Sequence, residues 1–180
     1  IAIYQKGVMM IPAQPNSFKY IGYKSINKNI IGSNCITSLC RDHKGILWIG
    51  TDNDGIYGIT TELKQKVHYA PHDSPSSVPS TVFSLYEDSE HNLWFGSYTN
   101  GLGRLDKKTG QCSYLQNLTD KNGNRIQRVY DLVEDQDKRL WIATMGAGLF
   151  YYDLKTGQSV YDPKFNAATK KYKWISCLLY

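Results

Sequence analysis

The sequence predicts an all-β chain built from repeated four-stranded antiparallel units, and three observations carry that prediction. One short stretch is written three times: Leu47-Trp48-Ile49-Gly50-Thr51, Leu93-Trp94-Phe95-Gly96-Ser97 and Leu140-Trp141-Ile142-Ala143-Thr144. Its tryptophans stand 46 and 47 residues apart, a period that belongs to repeat architectures. The match also extends outward in register: Asp42, Asp88 and Asp135 each precede their Trp by six residues, and Gly55, Gly101 and Gly148 each follow it by seven. Finally, the Trp-bearing segments are apolar at consecutive positions, so both faces of these strands must be covered. A small sheet sandwiched between two like sheets, once per 46–47 residues, is the blade of a β-propeller. The predicted fold is therefore a β-propeller segment of three complete blades with partial blades at both ends. Seven blades of about 46 residues need roughly 320, so the segment is expected to be part of a larger, seven-bladed ring.

The elements follow from the alignment. Ile1 to Gly7 matches Ile49 to Gly55, so residues 1–34 are read as strands B–D of a preceding blade, with Ser17 to Tyr23 as a strand and Ile26 to Asn34 as a polar loop. The first complete blade spans residues 35–80. Ile36 to Cys40 is strand A, Arg41 to Gly45 a turn, Ile46 to Thr51 strand B, Asp52 to Gly55 a turn, Ile56 to Thr60 strand C and Lys66 to Ala70 strand D. Gly45 suits a turn position with positive φ. Pro71 to Pro79 carries three prolines and reads as a connection. Residues 81–127 and 128–173 repeat the plan, and residues 174–180 start strand A of a following blade. Trp48, Trp94 and Trp141, with Gly55, Gly101 and Gly148, are the expected structural frame of the blades.

Composition restricts the function classes. The 180 residues are 41% hydrophobic and 13% aromatic, enough for a folded core. No run of 18 apolar residues exists, so any membrane attachment is expected to lie in regions outside this segment. There is no initiator Met or signal-peptide pattern, and the chain reads as a piece of a longer protein. The charge is +5, from 21 basic and 16 acidic residues scattered along the chain, which argues against nucleic-acid binding. Cys35, Cys40, Cys112 and Cys177 form no CxxC pair and are expected to be buried free thiols.

Asp88-Ser89-Glu90-His91-Asn92-Leu93-Trp94-Phe95-Gly96-Ser97, followed by Gly101-Leu102 and Asp106-Lys107-Lys108-Thr109-Gly110, resembles the two-component regulator propeller repeat. The resemblance covers nearly the whole chain. It implies the periplasmic sensor part of an inner-membrane hybrid two-component system, with histidine kinase and receiver domains elsewhere in the protein and carbohydrate as the signal. Two departures stand out: Arg41 replaces the acidic residue before Asp42, and Gly58 and Gly103 are expected to interrupt strand C.

The candidate chemistry is that of binding. Asp42/Lys44, Asp88/Glu90 and Asp135/Asp137 resemble a D-x-D calcium loop, but strand B begins too soon and a calcium site needs six to eight oxygens. No metal and no cofactor is expected, and each Asp is assigned to its own turn. His43, His68, His72 and His91 assemble no nucleophile–base pair, so this segment is not expected to be an enzyme. In a propeller the B–C turns and D–A connections share one face. Asp52, Asn53, Tyr98, Asn100, Arg128 and Trp174 fall there, and their carboxylate, amide, guanidinium and aromatic groups suit an oligosaccharide. Arg128 and Trp174 occupy a position where the repeat elsewhere has Cys35 and Thr81. The competing readings are a streptogramin-lyase-like propeller enzyme and a protein-interaction propeller. Open blade edges are also expected to favour self-association.

Overall fold

The computed structural model describes residues 2–3, 7–10, 19–23, 31–60, 62, 66–120, 122–168 and 173–179. Three strands, β1 (Ala2–Ile3), β2 (Gly7–Met10) and β3 (Lys19–Ile21), form a first antiparallel sheet in the order β1-β2-β3. Expectations for residues 1, 4–6, 11–18 and 24–30 lie outside the described residues, as do those for Lys121, Lys171 and Tyr172. Three four-stranded antiparallel sheets follow. They comprise β4 (Ile36–Arg41), β5 (Leu47–Thr51), β6 (Ile56–Ile59) and β7 (Lys66–Tyr69); β8 (Val82–Glu87), β9 (Leu93–Ser97), β10 (Leu102–Leu105) and β11 (Cys112–Tyr114); and β12 (Val129–Glu134), β13 (Arg139–Thr144), β14 (Leu149–Asp153) and β15 (Gln158–Tyr161). Each pairs its strands in sequence order, as blades of a propeller do.

The core lies between sheets rather than within them. Val8 and Ile21 meet Ile36, Ile49, Tyr57 and Ile59 between the first sheet and the second. Trp48 packs with Val82, Leu85, Leu93 and Phe95 of the next blade, and Trp94 with Val129, Leu132, Leu140 and Ile142 of the one after. Trp48 is 2% exposed and Trp94 4%. Trp141 is only half-buried, against the expectation of a third core Trp. No further sheet covers it among the described residues, and the Arg139 guanidinium lies 5.6 Å from its ring instead. Close approach is built in: a Cβ on Gly50 would stand 2.9 Å from the Val82 side chain, and one on Gly96 would stand 2.6 Å from the Val129 carbonyl.

A polar frame repeats with the core. The buried Asp42, Asp88 and Asp135 each accept two backbone N–H bonds of their own turn through Oδ1, from Lys44 and Ile46, Glu90 and Asn92, and Asp137 and Arg139. Their Oδ2 atoms accept the indole N–H of Trp48, Trp94 and Trp141 at 2.9, 2.7 and 2.7 Å. The six-residue Asp–Trp spacing thus joins turn to core. Thr51, Ser97 and Thr144 close the second turn by donating to the carbonyls of Gly55, Gly101 and Gly148 at 2.8, 3.0 and 2.6 Å. The N–H groups of these glycines bond outward to Ser80, Gln127 and Lys173 carbonyls, in the connections that lead to the next blade or stretch.

Asp42 and Asp135 give stability a pH dependence. Burial works against ionisation of Asp42, but the Trp48 N–H, the backbone N–H groups of Ile46 and Lys44, and Lys107 outweigh it and lower its pKa. Asp135 is lowered likewise, with burial opposed by Trp141 and Arg139. A lowered folded-state pKa means that stability is fully present above the unfolded carboxylate value of about 4 and is lost as pH falls through the folded value. The urea midpoint is therefore expected to be flat from pH 7 to 5 and to fall below pH 4. Asp42→Asn is expected to flatten that fall while lowering the plateau, and a pH profile unchanged by the substitution would refute this assignment.

Three further expectations are corrected. Gly58 and Gly103 lie inside β6 and β10, and the ladders run through them: Gly58 pairs with Trp48 and Gly103 with Phe95. Each glycine makes room for the ring opposite, since a Cβ would fall 2.8 Å from the Trp48 ring or 2.3 Å from that of Phe95. The last connection contains a short helix, α1 (Pro163–Ala168), started by Pro163 at its first position and by Asp162, whose carboxylate accepts the Phe165 N–H at 2.5 Å. Of the four free cysteines Cys112 is buried, Cys35 and Cys40 are half-buried and Cys177 is exposed. Burial pushes the Cys112 thiol pKa up to about 12, so this thiol is inert.

Candidate functional site

The end of the sheets that carries the B–C turns is built by a repeated exchange between neighbours. Each connection hands a carbonyl to the preceding glycine turn, and this sets the next residue beside the first residue of that turn. Three pairs result: Thr81 with Asp52, Arg128 with Tyr98 and Trp174 with Met145. Thr81 Oγ1 donates to Asp52 Oδ1 at 2.8 Å. The Arg128 guanidinium lies 5.0 Å from the Tyr98 ring centroid, a cation–π contact. Trp174 bridges Met145 through the backbone, and its indole lies 3.5 Å from where a Cβ on Gly146 would stand.

The six sequence candidates share this end but not one pocket. Asp52 and Asn53 line an open cleft with Tyr23, Ser33, Asn34 and Cys35. Asn53 is exposed at φ 78°, a left-handed conformation that Asn tolerates. Asn100 caps its turn: its N–H donates to Ser97 Oγ at 2.9 Å, and its carbonyl accepts from Arg125 at 3.2 Å. Tyr98 is 41% exposed and Trp174 70%. In the following stretch Ile175 N–H donates to the Thr144 carbonyl and Leu178 N–H to Asp131 Oδ2. Its described bonds thus run to β13 and β12, and none runs to β1.

Two residues of this end escape sequence reading. Strands β4, β8 and β12 each contain a bulge at the same place, and its extra residue is Thr37, Phe83 or Tyr130. A bulge re-aims its side chain. Phe83 and Tyr130 turn toward each other and stack at 4.6 Å, and Phe83 meets Tyr98 edge-on at 5.7 Å. Tyr98, Phe83, Tyr130 and Arg128 thereby form one aromatic surface with a guanidinium on it. The only signal in the sequence was the aromatic identity at a position that holds Thr37 in the first blade. Asp42, Asp88 and Asp135 of the D-x-D motifs are taken up by their own turns and by Trp N–H groups, and Asp137 pairs with Arg139 at 2.7 Å.

Residues 30–53, 76–99 and 122–146 match the two-component regulator propeller family. No curated protein matches the chain. Among solved structures it is similar to the extracellular domain attributed to the hybrid two-component system BT3049 of B. thetaiotaomicron, with a TM-score of 0.64 and 19% identity over 79% of this chain and 20% of that one. It is also similar to the extracellular domain attributed to the system BT4673 of the same organism, with a TM-score of 0.57 and 20% identity over 85% of this chain and 27% of that one. Virginiamycin B lyase from Staphylococcus aureus is similar as well, with a TM-score of 0.57 and 16% identity over 80% of this chain and 44% of that one. The chain spans under a third of the length of the first two, and at these identities the likeness establishes the propeller fold.

Proposed function

From the premise that this chain carries two-component regulator propeller repeats, we propose that it is part of an extracytoplasmic, periplasmic sensor that binds an oligosaccharide. The kinase and phosphorelay chemistry lies elsewhere in the protein, and the response is transcription of glycan-utilisation genes. The observation that carries this reading is the surface of Tyr98, Phe83 and Tyr130 with Arg128 beside it. Aromatic faces accept the CH faces of a pyranose, and a guanidinium donates to its hydroxyls. The cleft beside Asp52 and Asn53 supplies acceptors and an amide at the same end of the sheets. No helix among the described residues is long and apolar enough to cross a membrane.

His68 and His72 are engaged within the fold, which supports binding over catalysis. His68 stacks on Tyr57 at 3.9 Å and stands 3.3 Å from Asp54, and His72 bonds Ser77 within its own connection. Turnover of polysaccharide or cyclic-ester substrates by the purified protein is expected to be undetectable. The binding reading is tested by a glycan array followed by calorimetry with the oligosaccharides retained. Arg128→Ala and Trp174→Ala are each expected to weaken binding by about tenfold, the worth of one charge-assisted hydrogen bond or stacking contact, with the unfolding midpoint nearly unchanged. A loss of stability with affinity intact in both variants would make these residues parts of the rim framework and remove the proposal.

A further inference from the structure

At the opposite end of the sheets, the A–B turns of adjacent blades bring two histidines together. His43 lies on the β4–β5 turn and His91 on the β8–β9 turn, and their rings stack with centroids 3.7 Å apart at 22°. Glu87, the last residue of β8, completes the group: its Oε1 stands 2.8 Å from His43 Nδ1, and its Oε2 accepts the His43 backbone N–H at 2.6 Å. One ligand atom from each of the three residues lies within 4.8 Å of the others.

The repeat separates frame from addition. At the next blade junction Glu134 holds the place of Glu87 and accepts the N–H and Oγ–H of Ser89, both at 2.6 Å. The carboxylate clasp is therefore common to both junctions, and the imidazoles are not. His43 aligns with Ser89 and Gln136, and His91 with Gly45 and Lys138. His91 also adopts φ 67°, where the first blade uses Gly45 at φ 80°. Lys138 stands at φ 68° in the third blade, so the left-handed turn belongs to the common frame, and what is particular to this junction is the pair of imidazoles beside the carboxylate.

We propose that His43, Glu87 and His91 form a divalent transition-metal site, with zinc the ion that best suits the set, linking two adjacent blades. Two imidazoles and one carboxylate are a recurrent zinc donor set that leaves a fourth position for water. Ligands bonded at about 2.1 Å in a tetrahedron stand about 3.4 Å apart, so rotation of the exposed imidazoles out of their stack is what closes the set. Lys107 is the cation now on the carboxylate, with Nζ 2.7 Å from Glu87 Oε1. The same Nζ stands 3.7 Å from Asp42 Oδ2, so a swing to Asp42 frees the Glu87 oxygen and leaves the ammonium paired.

The test is calorimetric titration of the purified, metal-stripped protein with zinc chloride, repeated with cobalt(II) to read the visible absorption of a tetrahedral site. One equivalent is expected to bind and to raise the melting temperature. His43→Ala and His91→Ala should each weaken binding at least tenfold, and Lys107→Met should tighten it several-fold. The double variant His68→Ala/His72→Ala, which removes the two histidines outside the cluster, should bind as the parent does. Absence of stoichiometric binding would overturn the site, as would binding that survives both His43→Ala and His91→Ala or that vanishes in His68→Ala/His72→Ala.

Discussion

Trp94→Ala is expected to lower the unfolding free energy by about 3–5 kcal/mol, the range for truncating a fully enclosed Trp. The indole closes the junction between the second and third four-stranded sheets, where it packs with Leu102, Val129 and Leu132. Its removal opens a void between two sheets whose backbones are already in close approach at Gly96, so the walls have little freedom to collapse. The substitution also takes the indole donor from the buried Asp88, which keeps its turn N–H groups and the Asn92 amide. Urea unfolding measures the effect as a fall in midpoint at unchanged slope. Trp141→Ala provides the contrast: its half-buried ring lies against Tyr151 and Arg139 of its own sheet, and the expected cost is about 1–2 kcal/mol. Equal costs at the two positions would mean that the inter-sheet core is misassigned.

Gly55→Ala is expected to cost about 3 kcal/mol, from a left-handed backbone worth 1–2 kcal/mol and a steric overlap added to it. Gly55 stands at φ 72°, and a Cβ there would fall 2.3 Å from the Tyr69 carbonyl oxygen, which is backbone and cannot rotate aside. Gly123 is the internal control. Its φ is 81°, but nothing lies within 4 Å of the Cβ position, so Gly123→Ala should cost only about 1 kcal/mol. Thermal unfolding of the two variants separates conformational strain from collision, and a gap near zero between them would refute the collision.

What the sequence disclosed is what the blades share. Every blade solves one packing problem, so Trp, the Asp six residues before it and the Gly seven after it recur, and recurrence makes them legible. Features confined to one blade or one junction were harder to see. Helix α1 departs from the repeat, although Asp162-Pro163 carried an ordinary N-cap signal. Phe83 and Tyr130 face each other only because a bulge shifts the strand register at that point, and no local pattern encodes the bulge. Gly58 and Gly103 read as strand breakers because the ring each accommodates belongs to the paired strand. His43 and His91 are 48 residues apart in the chain and adjacent only across a blade junction. Topology alone was enough to bring the six ligand candidates to one common end of the sheets. The pairing of Asp52 with Thr81, Tyr98 with Arg128 and Met145 with Trp174 depends on which connection reaches which turn.

The bonds from Gly55, Gly101 and Gly148 to the Ser80, Gln127 and Lys173 carbonyls set an order of events during synthesis. Each acceptor lies 25 or 26 residues downstream of its donor, so a turn emerging from the ribosome waits for half a repeat before its last amide is satisfied. At 5–20 residues per second that interval is about 1–5 s. Until it ends, the glycine of the newest sheet keeps an amide donor without its protein acceptor, while the sheet before it is already closed. Maturation therefore runs as a ratchet from the N-terminal side, with each repeat locked by its successor. A ribosome stalled within a connection would leave only the most recent unit susceptible to protease.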